Sequence, residues 1–185
     1  MSTLQNIPLI RIDGTSSTLT DYQGKVLLIV NVASKCGLTP QYTGLEQLYQ
    51  DKRSQGLEVL GFPANNFKGQ EPGTDNDIQQ FCSTEYNVQF PLYSKISVVG
   101  DDQHPLYQQL TSARPQTSGD GPFRERLQGF GITPNSPPDV LWNFEKFLIG
   151  RNGEVAGRFA PDVAADDPQL LAAIDAELAA KPEAK

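Results

Sequence analysis

The order of apolar and polar positions divides the chain into alternating strand and helix signals. Residues 8–22 read as a short, turn-interrupted hairpin with Asp13-Gly14 at the turn. Lys25-Val26-Leu27-Leu28-Ile29-Val30-Asn31-Val32 is a β-branched apolar run without polar alternation, as expected of a central strand covered on both faces. A helix is predicted next. Thr39 suits its N-cap, Pro40 its first position, and Tyr42, Leu45, Leu48 and Tyr49 recur at helical spacing, with Gly56 placed as a C-terminal cap. Leu57-Glu58-Val59-Leu60-Gly61-Phe62 then reads as a strand, completing a β-α-β unit whose strands should be parallel.

A second helix is predicted from Thr74, with Asp75 and Asp77 favourable in its first turn and Ile78, Phe81, Cys82 and Tyr86 as its apolar stripe. A third begins at His104. Residues 113–139 carry nine Gly or Pro, which predicts a long irregular loop of the kind that is usually functional or partner-binding. Lys146-Phe147-Leu148-Ile149 and Glu154-Val155-Ala156-Gly157-Arg158-Phe159 flank Asn152-Gly153, a strong hairpin signal, and a last helix is expected from about Asp166 to Ala180 before a charged tail. This order is α/β and thioredoxin-like: a central mixed sheet flanked by helices, with an N-terminal hairpin. No repeat or polar linker divides the sequence, so residues 1–185 are expected to form one domain.

Composition narrows the function classes. The formal net charge of −7 disfavours phosphate backbones and anionic lipid, so neither nucleic acid nor a membrane surface is an expected partner. The longest apolar run is far too short to span a bilayer, and Met1-Ser2-Thr3-Leu4-Gln5-Asn6 lacks the basic start and apolar stretch of a secretion signal; a cytoplasmic protein is expected. Two cysteines match neither a disulfide scaffold nor a zinc-ligand spacing, so no metal is expected. A Cys-His catalytic pair would rest on His104, the single histidine.

Cys36 falls between the end of the buried strand and the start of the first helix. That sheet edge is where α/β folds place reactive groups, and a helix N-terminus favours the thiolate, the nucleophilic form. Its neighbours Ser34, Lys35 and Gly37 suit an exposed turn, and Lys35 is either a positive field beside the sulfur or a solvated surface residue. A buried structural cysteine is the competing assignment. In thioredoxin-like oxidoreductases a second cysteine stands three residues on. Here that place is Thr39, so Cys36 must react with a peroxide, a partner thiol or a distant cysteine.

Asn31-Val32-Ala33-Ser34-Lys35-Cys36-Gly37 resembles the active-site segment of the glutathione peroxidase family. Gly61-Phe62-Pro63-Ala64-Asn65-Asn66-Phe67 with Gln70-Glu71-Pro72-Gly73 resembles its second motif, and Trp142-Asn143-Phe144-Glu145-Lys146-Phe147-Leu148 its third. The motifs occur in family order over nearly the whole chain. The resemblance implies a catalytic set of Cys36, Gln70, Trp142 and Asn143, in which the two amides and the indole N–H donate toward the sulfur and the peroxide without competing as nucleophiles. It also implies that Cys82, in a Phe81-Cys82 segment, is a resolving thiol that forms a disulfide reduced by thioredoxin; read from its helical stripe alone, Cys82 is a buried small hydrophobe. Many relatives have Cys-Asn-Gln where this chain has Ala64-Asn65-Asn66, which leaves Cys82 as the internal candidate.

The expected function is therefore a thiol peroxidase acting on hydrogen peroxide and organic hydroperoxides, with no cofactor. Direct use of glutathione, a peroxide sensor that relays oxidation to a partner protein, and a structural module with inert cysteines are the alternatives. The 113–139 segment resembles the assembly loop of tetrameric relatives, whereas monomers are common among thioredoxin-dependent ones, so the oligomeric state stays open.

Overall fold

The computed structural model describes residues 3–180; the charged tail expected after Ala180 lies outside the described residues. A short hairpin of β1 (Leu9–Ile10) and β2 (Ser16–Ser17) turns at Asp13-Gly14, where the Asp13 carboxylate accepts from the Thr15 N–H. The main sheet contains β3 (Val26–Val32), β4 (Leu57–Pro63), β5 (Lys146–Ile149) and β6 (Val155–Phe159), in the order β4-β3-β5-β6. β3 is parallel to β4 and antiparallel to β5, and β5 is antiparallel to β6. Every residue of β3 is buried, so its unbroken apolar run is what a central strand covered on both faces requires. Each large aliphatic side chain buried there contributes roughly 1.5–3 kcal/mol.

Between β3 and β4 runs α1 (Gln41–Lys52), which is followed by a 3₁₀ turn (Arg53–Gln55) closed by Gly56 at φ 109°, a left-handed conformation that glycine adopts without strain. The segment after β4 packs back on it, with bridges from Gly61 to Leu92 and from Ala64 to Ile96. A Cβ on residue 61 would stand 2.7 Å from Leu92 Cδ2, so the close approach needs glycine. On α3 (Pro105–Ala113), Tyr107 meets Phe62 of β4 and Phe147 of β5 edge-on, while α5 (Pro168–Ala179) lies against β3 and β6.

Two expectations need correction. The 113–139 segment is not an irregular loop throughout, because α4 (Gly121–Gly129) forms inside it. Pro122 occupies its first turn, where a missing N–H costs nothing, and Phe123 and Leu127, one turn apart, are both buried. Thr39 does not cap α1 either. Pro40 holds the cap position, and the first N–H groups of the helix are satisfied by carbonyls three residues back: Gln41 on Leu38, Tyr42 on Thr39, Thr43 on Pro40.

The second helix, α2 (Asp75–Tyr86), follows its sequence signals closely. Thr74 accepts from the Asp77 N–H, and the Asp77 carboxylate accepts from the Thr74 N–H, a complete capping box. Thr74→Ala is expected to cost about 1 kcal/mol, read as a lowered midpoint in urea unfolding. An unchanged midpoint would mean that the box is not what holds the start of the helix.

Candidate active site

The site gathers at the C-terminal end of β3. Residues 34–40 form a chain of turns between β3 and α1, in which Lys35 and Gly37 are exposed while Cys36 retains only 8% of its surface. Thr39, standing where a second cysteine would be, organises this turn. Its Oγ1 accepts from the Cys36 N–H at 2.9 Å and donates to the Ala33 carbonyl at 2.8 Å. The Leu38 N–H donates to Cys36 Sγ at 3.3 Å, a contact that favours negative charge on sulfur.

The second motif reaches the same place through its backbone. The Lys35 N–H donates to the Gln70 carbonyl at 3.0 Å, so residue 70 lies beside the chain that carries the sulfur. The third motif arrives through side chains: Asn143 Nδ2 donates to Gln70 Oε1 at 2.9 Å, leaving Gln70 Nε2 as that side chain's donor. Asn143 is fully buried, whereas Trp142 retains 8% of its surface and packs on Phe67 at 5.2 Å between ring centroids. The structure thus brings the Cys36 turn, Gln70, Trp142 and Asn143 together from three segments of the chain.

Cys82 is placed differently. It is fully buried within α2, both cysteines are free, and burial pushes its thiol up to about 11. The Tyr42 side chain lies beside it on α1. His104 accepts from the Leu106 N–H through Nδ1 as the N-cap of α3, which gives it a structural task.

Several residues that hold the site were not singled out by sequence reasoning. Asn31, the polar residue in the apolar run of β3, donates from Nδ2 to the Trp142 carbonyl at 3.0 Å, and its main-chain carbonyl accepts from the Phe144 N–H at 2.6 Å, gripping the chain on both sides of Asn143. Phe144 has φ 70°, a strained value for a residue with a side chain, and this grip helps to hold it there. Glu145 accepts from the Leu141 N–H at 3.0 Å and pairs with Arg158 at 2.7 Å. Arg158 also donates to the carbonyls of Arg114 and Asp139, tying the segment before Trp142 to β6. Lys146, fully buried, donates to Gln41 Oε1 at 2.6 Å and to the Pro161 carbonyl at 3.0 Å, and burial lowers its ammonium to about 7. In each case the signal was a polar or charged residue inside a strand or, for Glu145, directly before one, where only a satisfied partner makes burial tolerable.

Chemically, the arrangement offers a nearly buried thiol with an N–H on its sulfur, adjoined by amide donors and an indole. No group of three or more potential metal ligands occurs among the described residues, and no helix there is long and apolar enough to cross a membrane.

Known proteins resemble this chain along most of its length. The chain is 50% identical over 173 residues to the thioredoxin/glutathione peroxidase BtuE of Escherichia coli strain K12, covering 91% of this chain and 93% of that protein. It is 46% identical over 165 residues to the hydroperoxy fatty acid reductase gpx1 of Synechocystis sp. PCC 6803, covering 86% and 90% respectively. The crystal structure of Trgpx in its apo form superposes with a TM-score of 0.71 at 33% identity, over 99% of this chain and 100% of that one. A thioredoxin-family thiol:disulfide interchange protein from Chlorobium tepidum TLS, at 13% identity, a TM-score of 0.60, and coverage of 93% of this chain and 92% of that one, shares the fold alone, which is thioredoxin-like. The glutathione peroxidase family profile matches residues 4–111, and with these relatives it establishes that the chain belongs to the glutathione peroxidase family and is a peroxidase, an oxidoreductase acting on peroxide.

Proposed function

We propose that the chain is a single-domain cytoplasmic thiol peroxidase in which Cys36 is the peroxidatic residue, Cys82 the resolving one and thioredoxin the reductant. The observation that carries this reading is the Asn143–Gln70 hydrogen bond, made against the backbone that holds Cys36. The Cys36 thiolate attacks the O–O bond of hydrogen peroxide or an organic hydroperoxide. One oxygen stays on sulfur as the sulfenic acid, and the other leaves as water or alcohol after taking a proton. Gln70, Asn143 and Trp142 supply donors for the charge that develops on the leaving oxygen. Cys82 then condenses with the sulfenic acid, releasing water and forming a disulfide that an external dithiol reduces. The names of the two relatives support thiol reductants and lipid as well as simple peroxides.

A disulfide needs Cα atoms within about 7 Å, and Cys82 sits inside an intact helix, so α2 must open locally to deliver it. Protein treated with one equivalent of peroxide is expected to yield a cross-linked Cys36–Cys82 peptide by mass spectrometry, and Cys82→Ser should lose mainly the thioredoxin-linked turnover. Equal thioredoxin turnover in Cys82→Ser would instead assign reduction of the sulfenic acid directly to the external thiol.

A further inference from the structure

Resolution by Cys82 poses a problem of proton transfer. A thiol with an ordinary value of about 8.5 is only roughly 3% thiolate at pH 7, and burial pushes Cys82 higher still while α2 is closed, yet attack on a sulfenic acid requires the thiolate. Glu71 adjoins the turn that carries Cys36, through Gln70, whose carbonyl accepts from the Lys35 N–H. It follows Gln70 directly, keeps only 1% of its surface, and its Oε2 has no hydrogen-bond partner among the described residues. A buried carboxylate oxygen left open is costly and calls for a reason. Its charge acts on Cys82 of α2 and Tyr42 of α1, while Ser34 and Lys35 of the turn that carries Cys36, and Lys95, face it and favour its ionised form. Its backbone is held from outside α2 by Asn65, whose Oδ1 accepts from the Glu71 N–H at 2.9 Å, while Lys95, which donates from Nζ to the Glu71 carbonyl at 3.0 Å, is tied through its own N–H to Asp75 at the start of the helix.

We propose that the Glu71 carboxylate is the base for the resolving step, an inference that rests on Cys82 being the resolving thiol. Glu71 takes the Cys82 S–H proton as that sulfur attacks Cys36. The S–S bond forms, the S–O bond breaks, and the departing hydroxyl leaves as water with the proton that Glu71 returns. The Cys36 sulfur is reduced from the sulfenic to the disulfide level and the Cys82 sulfur is oxidised from thiol to disulfide, so no other reductant or oxidant enters. Burial raises the Glu71 carboxyl above its ordinary range, which brings it closer to the pH at which it must both accept and return a proton.

The test follows disulfide formation after one equivalent of hydrogen peroxide in the full-length protein, by rapid quench and mass spectrometry across pH 5–10. In wild type the rate should rise through the ionisation of Glu71 and then level before the thiol itself titrates. In Glu71→Gln the Cys36 sulfenic acid should accumulate, with disulfide formation at pH 7 slowed on the order of 100-fold and climbing steadily toward alkaline pH. Glu71→Asp should restore part of the rate. The opposite sign overturns the proposal. If Glu71 only suppresses the Cys82 thiolate by its charge, Glu71→Gln will form the disulfide faster at every pH. Should Glu71→Gln fail to fold, the wild-type profile decides, since a rate rising log-linearly from about pH 6 to 8, with no levelling above the carboxyl range, excludes the carboxylate base. Absence of any Cys36–Cys82 disulfide in wild type would instead remove the resolving role of Cys82 itself.

Discussion

Cys36→Ser should abolish peroxide consumption with either thioredoxin or glutathione as donor, while leaving the fold intact. The serine oxygen can still accept from the Leu38 N–H, and the exchange removes one polarizable atom from a position with little exposed surface. Stability should therefore change by less than about 1 kcal/mol. Chemistry has no comparable substitute. A serine hydroxyl stays protonated at neutral pH, histidine is occupied in capping α3, and an alkoxide attacking a peroxide oxygen would yield no stable analogue of the sulfenic acid. Coupled assays with each donor, beside a thermal melt, provide the check. Turnover above the uncatalysed rate in a folded Cys36→Ser protein would move the peroxidatic role elsewhere.

The largest effect on stability is expected at Arg158. It is 2% exposed and pairs with a fully buried Glu145, so Arg158→Met leaves a carboxylate without its counter-charge and should cost about 3–5 kcal/mol. That is a large share of a typical folding free energy of roughly 5–15 kcal/mol. The loss has a definite pH dependence. Burial pushes the Glu145 carboxyl up, and Arg158 and the Leu141 N–H oppose it; without Arg158 it rises further. A raised carboxyl means that the folded form holds its proton more tightly than the unfolded one, near 4.3. The variant should approach wild-type stability in acid and fall behind it as pH rises through the folded-state value. Adding Glu145→Gln should recover part of the deficit. Urea unfolding of the wild type and the two variants at pH 5 and 8 measures this, and a deficit independent of pH would assign the loss to the Arg114 and Asp139 carbonyls instead. Because the pair also secures the segment before Trp142, fluorescence of that single tryptophan should report loosening.

The fold was legible where one signal dominated. The run Val26–Val32 declared a strand buried on both faces, Thr74 with Asp77 marked a helix start, and Asn152-Gly153 a hairpin. Thr39 misled because a hydroxyl before a helix has two outlets, and here it bonds backward to Cys36 and Ala33. The helix Gly121–Gly129 was hidden because glycine and proline at its ends look the same as glycine and proline in a loop. For the site, motif resemblance pointed to the residues, but no spacing along a chain reveals that Asn143 meets Gln70. Nor does periodicity show that Asn31, one amide in an apolar strand, grips the loop that carries Asn143.

That grip joins residues 111 positions apart, and Gln70 and Asn143 are 73 apart. A ribosome working at about 5–20 residues per second produces Asn143 roughly 5–20 s after Cys36. For that interval the nascent chain carries Cys36 without Trp142 and Asn143, two of the donors that the proposed cycle requires. In the proposed cycle, reactivity arrives with the third motif, after the segment of α2 that carries the second thiol has been made. In that cycle a chain that stalls before Trp142 lacks two of the three donors, and its Cys36 reacts as an ordinary cysteine.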